Sequence, residues 1–421
     1  MANIFDYIDW RDIDLKKVEF NEIDNLILAR LSYLPFDGLI NKTECVTIKE
    51  VYDRYVATGE KRKFLWEYDE KLFETLANSN RFGKCKLIYY TNNVDTEEVL
   101  QFSAITILLP DKTMYISYRG TDTTIVGWKE DLNMSFSEFV PSQPDSVEYL
   151  EYVARRIRRP IRLGGHSKGG NLAVYAAAFC AHKFRRRIIN VYNNEGPGFT
   201  NKIVNSDEYK TILPKVHRYI PQASIIGRFL NNDEETTVVK STANGIMQHD
   251  LYSWQVLGDK FVEGDLTSSS EFIDKTISKW LEEVSNEQRK EFFDCLFDIM
   301  SQTKAETFPE LRDGLIKNSK IMFNAYKNLN SETKEMLKKT LMSIVQSGKE
   351  TIEFPKISNM TSKYKKAKPN KDKSIKKRFG KSKDKDKSKK ENLDSNNNDD
   401  NSTSSSDDVK SLEELYPKDN K

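Results

Sequence analysis

A short stretch around Ser167 constrains the fold of this chain more than any other. The segment IRLGGHSKGGNLAVYAAAF (161–179) begins with a strand pattern, places a glycine two residues before and two residues after Ser167, and continues as an alanine-rich helix. A serine at so sharp a strand-to-helix turn needs Gly165 and Gly169, because side chains there would collide with the strand and the helix. The turn lifts the Ser167 hydroxyl out of the sheet and directs the amide of Lys168, with the positive end of the helix, at an anion formed beside it. We therefore predict that Ser167 is a nucleophile.

The periodicity on both sides of this segment predicts an α/β fold with a central, mostly parallel sheet and flanking helices. Strand-like runs rich in β-branched and aromatic residues are KLIYYTN (86–92), QFSAITILL (101–109), MYISYRG (114–120), RIINVYNN (187–194), KVHRYI (215–220) and TTVVKS (236–241). Helical spacing is present in NEIDNLILARLSYLPF (21–36) and PDSVEYLEYVARRIRR (144–159). Strands and helices that alternate over short connections are typical of a parallel sheet covered by helices.

The C-terminal third has a different pattern. From Ser270 to Ser347 the apolar period is helical throughout, whereas almost no apolar residue follows position 362. Residues 363–390 hold 15 Lys/Arg against 3 Asp, and residues 391–421 hold 9 Asp/Glu against 3 Lys. Such segments cannot bury enough apolar surface to fold. We predict an α/β domain at 1–260, a helical appendage at 261–358 and a disordered, basic-then-acidic tail at 359–421.

Composition points to a reduced, cytoplasmic protein. The four cysteines form no CxxC pair, the N-terminus has no signal-peptide pattern, and the longest apolar run, residues 102–110, is too short to span a bilayer. Neither a metal-binding nor a nucleotide-binding motif is present, so we expect no metal and no cofactor.

A nucleophilic serine needs a base, and the chain has only four histidines. His166 is the neighbour of Ser167, and we expect its side chain to point away. His182 lies at the far end of the predicted helix that follows Ser167, and His217 lies at the start of a predicted strand. In hydrolases with this kind of turn the base follows the nucleophile on a late loop, which favours His249 in GIMQHDLYSW.

Several motifs together resemble the class 3, fungal-type lipases. YRGTDTTIVGWKEDLNMSF (118–136), GGHSKGGNLA (164–173), EGPGF (195–199) and QHDLYSW (248–254) are similar, in this order, to segments of that family. The phrases LARLSYLPFDG, QFSAITILL, RGTD and GWKED are closest to an uncharacterised bacterial branch of lipase-like proteins. The resemblance implies an α/β-hydrolase fold, hydrolysis of acyl esters, and Thr121 as the second donor to the oxyanion.

In that family a carboxylate completes a catalytic triad with the serine and the histidine, and at its expected position this sequence differs from the family pattern. The family's Asp-Ile-Val-Pro-like phrase is replaced by IPQASIIG, with Ser224 at the expected position of the acid. Glu195, at the end of the preceding strand, is the carboxylate we favour. Asp233-Glu234-Glu235 is an alternative, although this charged run is more typical of a solvated loop, and the absence of any acid is another.

Two further residue pairs are interpreted as structural. We expect Arg119 and Asp131 to form an ion pair beneath the site, and Trp128 and Trp254 to pack rather than to bind substrate.

The predicted function is a serine hydrolase that cleaves a carboxyl ester of an acyl lipid or a small ester. The alternative is an inactive scaffold protein, which the absence of an acid at position 224 suggests. The basic tail suits a weak contact with a membrane surface better than a specific nucleic acid, because it has few aromatic residues. The sequence leaves the oligomeric state open.

Overall fold

One eight-stranded sheet organises the protein. In the computed structural model, which describes residues 1–351, the strands lie in the sheet in chain order from β1 to β8. They are β1 (Val46–Thr47), β2 (Lys86–Asp95), β3 (Leu100–Leu108), β4 (Met114–Tyr118), β5 (Ile161–His166), β6 (Ile188–Asn194), β7 (Val216–Pro221) and β8 (Thr236–Val239). A separate hairpin pairs β9 (Val256–Leu257) with β10 (Lys260–Phe261).

The sheet changes from antiparallel to parallel at β4. Strands β1 to β4 pair antiparallel, and the four pairs from β4 to β8 are parallel. A tight turn at 109–113 connects β3 to β4, whereas parallel strands need crossover connections, which are supplied here by helices and longer loops. The predicted α/β architecture with a mostly parallel sheet is confirmed, and the carboxyl ends of β4 to β8 meet at one edge.

Helices cover both faces of the sheet and make up the C-terminal part of the described chain. Their bounds are α1 (Ile4–Trp10), α2 (Glu22–Leu31), α3 (Ile48–Thr58), α4 (Asp69–Asn78), α5 (Ile125–Asn133), α6 (Ser142–Arg156), α7 (Lys168–Phe179), α8 (His182–Arg185), α9 (Asn201–Val204), α10 (Asp207–Ile212), α11 (Ser268–Glu283), α12 (Asn286–Ser301), α13 (Phe308–Asp313), α14 (Leu315–Asn328) and α15 (Ser331–Thr351). Short 3-10 turns include Gly245–His249 and Leu251–Ser253.

The two faces of the sheet bury separate apolar layers. Alternate residues of a strand point to opposite faces, so Ile105 and Ile107 of β3 join a cluster with α2 and α4, whereas Phe102 and Ala104 join one with α6 and α7. The alanines of α7 suit its position, since small side chains allow the helix to lie close to β5 and β6. The result is a helix–sheet–helix sandwich.

The C-terminal helices pack against α5, which follows β4. Phe293 of α12 stacks on Phe136, and Ile125 and Leu132 of α5 join the same apolar cluster. The backbone adds a short antiparallel bridge between Thr124 and Thr307. The connection that follows β4 is therefore held from outside by the helices.

Part of the predicted domain organisation lies outside the described residues. Residues 359–421, for which we predict a disordered tail, and the predicted appendage end at 358 belong to that part. The division at 260/261 remains a prediction. Within 1–351, no helix is both long enough and apolar enough to cross a bilayer.

Candidate active site

The turn at Ser167 has the strained geometry that its sequence demands. Ser167 connects β5 to α7 with φ 56° and ψ −134°, a region that residues other than glycine rarely adopt. A Cβ added at Gly165 would lie 2.4 Å from the backbone of Gly169, and one added at Gly169 would lie 2.1 Å from the carbonyl oxygen of Tyr118. Both glycines are therefore required for the close approach of β4, β5 and α7.

His249 and Glu195 meet at the carboxyl edge of the sheet. Glu195 directly follows β6 with a positive φ of 55°, and His249 ends a 3-10 turn on the loop after β8. Their side chains share a hydrogen bond of 2.7 Å between His249 Nδ1 and Glu195 Oε2. The carboxylate is fully buried, whereas the imidazole keeps 21 % of its surface exposed. The bond fixes Nδ1, so Nε2 is the ring nitrogen available to a third group.

The other carboxylate candidates lie elsewhere. Ser224, at the position where the family resemblance places an acid, donates its hydroxyl to Glu195 Oε1 at 2.7 Å. Glu234 is buried beside Arg218, with which it forms an ion pair of 3.3 Å, and also accepts from Asn193. The expectation of a solvated loop is therefore wrong for Glu234.

A second strand end approaches the serine from β4. A Cβ built on Gly120 would lie 3.1 Å from Cβ of Ser167, which places the following residue, Thr121, beside the turn. Thr121 donates its hydroxyl to Asp131 Oδ2 at 2.6 Å. Burial raises the pKa of Asp131 to about 6, and nearby Lys168 acts in the opposite direction.

The side chain and the backbone amide of Lys168 have different surroundings. Its Nζ is fully buried and bonds to Glu130 at 2.7 Å and to the backbone and side-chain oxygens of Gln101 at 2.9 Å. Its amide is the first of α7 and has no acceptor within the helix. Any contact with an oxyanion therefore falls to the amide and not to the ammonium group.

The expected orientation of His166 is wrong. Its ring does not point away from the site, since it lies 4.3 Å from the ring of His249, centroid to centroid, and its Nδ1 is 3.1 Å from the hydroxyl of Tyr33. Burial, reinforced by the neighbouring His249 and Arg30, keeps the pKa of His166 well below its ordinary value. Periodicity gives no signal for this contact, because it depends on a loop more than 80 residues away.

The expected pair of Arg119 and Asp131 is also wrong. Arg119 bonds to Asn92 and to Asp122, which lies three residues further along the same loop, while Asp131 accepts from Thr121. The two tryptophans do pack against protein, Trp128 on Phe308 and Trp254 within the core. The support of Thr121 by Asp131 was thus missed, although the RGTD…ED spacing puts both on neighbouring segments.

His166, Glu195 and His249 also form the one group within residues 1–351 whose ligand atoms could hold a metal ion. These atoms lie within 4.8 Å of one another. Two histidines and a carboxylate are a donor set that zinc accepts. The carboxylate of Glu195 is, however, already bonded to His249, so such an ion would compete with this bond.

Comparison with solved structures finds lipases of low sequence identity. Rhizomucor miehei lipase in its propeptide complex has 14 % identity and a TM-score of 0.36, with 60 % of this chain and 76 % of that chain covered. The lipase of Rhizopus microsporus var. chinensis has 13 % identity and a TM-score of 0.30, with 51 % and 81 % covered. M37 lipase has 15 % identity and a TM-score of 0.32, with 51 % and 71 % covered. No curated protein matches the chain.

A family model gives a more direct placement. The model described as Mbeg1-like matches residues 76–298, more than half of the 421 residues. The match runs from the segment before β2 into α12 and includes Ser167, Glu195 and His249. The chain belongs to the Mbeg1-like family.

Proposed function

We propose that this protein is a serine hydrolase that cleaves a carboxyl ester of an acyl lipid or a small ester. The observation that carries the proposal is the 2.7 Å hydrogen bond between His249 Nδ1 and Glu195 Oε2, with the His249 ring packed beside the residue that precedes Ser167. A strained serine, an imidazole and a buried carboxylate are the three groups that nucleophilic acyl transfer needs.

In the proposed reaction Ser167 attacks the ester carbonyl. Its hydroxyl oxygen forms a bond to the carbonyl carbon while Nε2 of His249 takes the proton. The ester C–O bond then breaks, the imidazolium returns the proton to the leaving alcohol, and the acyl group remains on Ser167. Water, deprotonated by His249, releases the acid and restores the serine. Throughout, the carboxylate of Glu195 keeps Nδ1 protonated and stabilises the imidazolium.

The oxyanion of the tetrahedral intermediate falls to the amide of Lys168 and to Thr121. The first amide of α7 also carries the positive end of the helix. The Thr121 hydroxyl donates its one hydrogen to Asp131, so the backbone amide of Thr121 is the donor to the oxyanion in this scheme. Asp131 acts through Thr121 and is a positioning residue, because its bond holds Thr121 in place and does not reach the reacting atoms.

The inactive-scaffold alternative rested on the serine at position 224. Glu195 supplies a buried carboxylate to the same imidazole, and Ser224 donates a hydrogen bond to it. Active hydrolysis is therefore the function we favour.

A fluorophosphonate probe tests the proposal without knowledge of the substrate. The wild type should be labelled and should hydrolyse a short p-nitrophenyl ester, and Ser167→Ala should do neither. Ser301→Ala is the matched control, since that hydroxyl is exposed at the end of α12 and donates only to the carbonyl oxygen of Asp298 in the same helix. If the folded wild-type protein takes up no probe, the proposal is wrong and the inactive-scaffold alternative replaces it.

A further inference from the structure

A cavity of about 750 Å³ lies at the end of the sheet opposite to Ser167. It is formed by the end of α6, the residues that lead into β5 and β6, and α8. Strand β5 starts at Ile161, beside the cavity, and ends at His166, beside the candidate nucleophile. At about 3.3 Å per residue the two places are roughly 17 Å apart. The cavity is therefore separate from the proposed hydrolytic site.

The cavity is lined by positive charge without a carboxylate. Its ten lining residues include no Asp or Glu and six cations, which are Arg155, Arg158, Arg159, Lys183, Arg186 and Arg187. Residues 1–362 carry a net charge of about −4, so the cluster of six cations is opposite in sign to the net charge of that part of the chain.

Three of the six cations have structural duties. Arg187 donates to the carbonyl oxygens of Ala154 and Ile157, and Arg159 to the carbonyl oxygen of Thr113. Arg155 forms an exposed ion pair with Glu151 of the same helix.

The other three cations are available to a ligand. Arg158, Lys183 and Arg186 are exposed and form no ion pair or side-chain hydrogen bond with another described residue, while Lys183 Nζ lies 4.9 Å from the centre of the Phe184 ring. Like charges held this close repel one another: burial, and then the charge of Arg158, lowers the pKa of Arg187. An anion in the cavity would offset that repulsion.

We propose that this cavity binds a small soluble molecule with two or more phosphate groups. Guanidinium groups present paired N–H donors that match phosphate oxygens, and several of them favour a ligand with several such groups. The remaining lining residues are apolar, and the two that are exposed, Pro160 and Ile189, offer a small contact for the organic portion of a phosphate ester. The volume also lies in the range of small-molecule sites.

Macromolecular phosphates fit this cavity less well. Single-stranded nucleic acids stack their bases on exposed aromatic rings, whereas Phe184, the only aromatic residue in the lining, is 5 % exposed. Insertion into a bilayer needs several protruding apolar side chains, and only two apolar residues of this lining, Pro160 and Ile189, are exposed.

Calorimetric titration of the full-length protein tests the proposal, with inorganic tripolyphosphate and ATP as probes at 0.15 M salt. We expect both to bind, and we expect Arg158→Gln/Arg186→Gln to weaken binding at least tenfold. Both side chains are exposed and make no contact that the fold needs. Arg312→Gln/Lys317→Gln removes the same charge from exposed positions on α13 and α14 and should change binding less than twofold.

Three results would overturn the proposal. Unchanged binding in Arg158→Gln/Arg186→Gln would place the ligand elsewhere, with the Lys-rich stretch 363–390 as the first candidate. No heat or thermal stabilisation with either probe at millimolar concentration would leave the cavity without this ligand class. Binding of anionic vesicles or duplex DNA that ATP does not displace would assign the cations to a macromolecule. None of these readouts depends on ester hydrolysis.

Discussion

Ser224 Oγ donates a 2.7 Å hydrogen bond to Oε1 of Glu195, the carboxylate whose other oxygen bonds His249. The position at which the resemblance to class 3 lipases places an acid thus carries a hydroxyl that hydrogen-bonds the carboxylate at the end of β6. Parallel strands end at the same edge, so β6 and the loop after β7 can present a side chain to one imidazole. We propose that Glu195 serves as the acid of the triad in place of a carboxylate after β7.

Replacement of Glu195 should reduce turnover strongly. Glu195→Gln keeps size and hydrogen bonding but removes the charge that stabilises the imidazolium, and we expect kcat/KM to fall roughly a thousandfold or more. Ester hydrolysis should be measured together with circular dichroism, to establish that the fold is intact.

The neighbouring acid provides the matched control for this variant. Asp233→Asn removes a carboxylate that has no contact with His249, and it should be nearly silent. A large loss in Asp233→Asn, with Glu195→Gln close to wild type, would reverse the assignment of the acid.

His249→Ala should lose as much activity as Ser167→Ala, because members of a triad act as a unit. The comparison variant is His217→Ala. That ring bonds to Asn190 and stacks on Tyr192 within the sheet, away from Glu195, and its loss should leave the rate within about tenfold. The two rates can be compared with the same p-nitrophenyl ester. Near-normal turnover in His249→Ala would show that another group is the base.

His166 should stay neutral across the working pH range. Its pKa in the folded state lies well below the ordinary value, whereas in the unfolded chain it is about 6.5. The unfolded state therefore binds more protons below pH 6.5, so this residue lowers the free energy of unfolding as the pH falls towards 5. His166→Gln should show a smaller fall in melting temperature between pH 7 and pH 5 than the wild type. Imidazole nitrogen shifts that report a charged His166 at pH 6 would contradict this.

Replacement of Asp131 by asparagine should raise the stability of the protein at high pH and lower its activity. Its folded pKa of about 6 is raised, so the carboxyl is held most favourably in its protonated form, and its contribution to stability falls as the pH rises from about 4 to 6. Asp131→Asn should therefore be more stable than the wild type at pH 8, by roughly 1–3 kcal/mol, with the gain vanishing near pH 4. It should also reduce kcat, by about tenfold, because Thr121 loses a charged acceptor. Melting curves at both pH values and ester kinetics check the two parts, and unchanged stability at pH 8 would show that the carboxylate is adequately solvated.

The sequence predicts the elements of this fold well because their signals are local. The six strand-like runs and the strand before Ser167 correspond to β2 to β8, since alternation and β-branched residues within each run suffice to identify them. The strained turn at Ser167 is equally local, as it depends on two glycines within five residues.

Side-chain partners were harder to predict because they depend on distant segments. Glu234 looks solvated in a run of three acids, yet β7 brings Arg218 beside it. His166 faces His249 only because the loop after β8 returns over the edge of the sheet. Nothing within either local sequence reports these contacts.

The bridge between Thr124 and Thr307 has a consequence for how the protein is made. Ile125 donates to the carbonyl oxygen of Glu306, and Phe308 to that of Thr123, so the segment just after Thr121 finds its backbone partner about 180 residues further along the chain. A ribosome that adds 5–20 residues per second needs roughly 10–40 s to cover that length. During synthesis the sheet and the turn at Ser167 have emerged long before this bridge can form. The hydrogen bond between Thr121 and Asp131 joins residues ten positions apart and can form early, whereas the bridge to Thr307 can form only after about 180 more residues have been added.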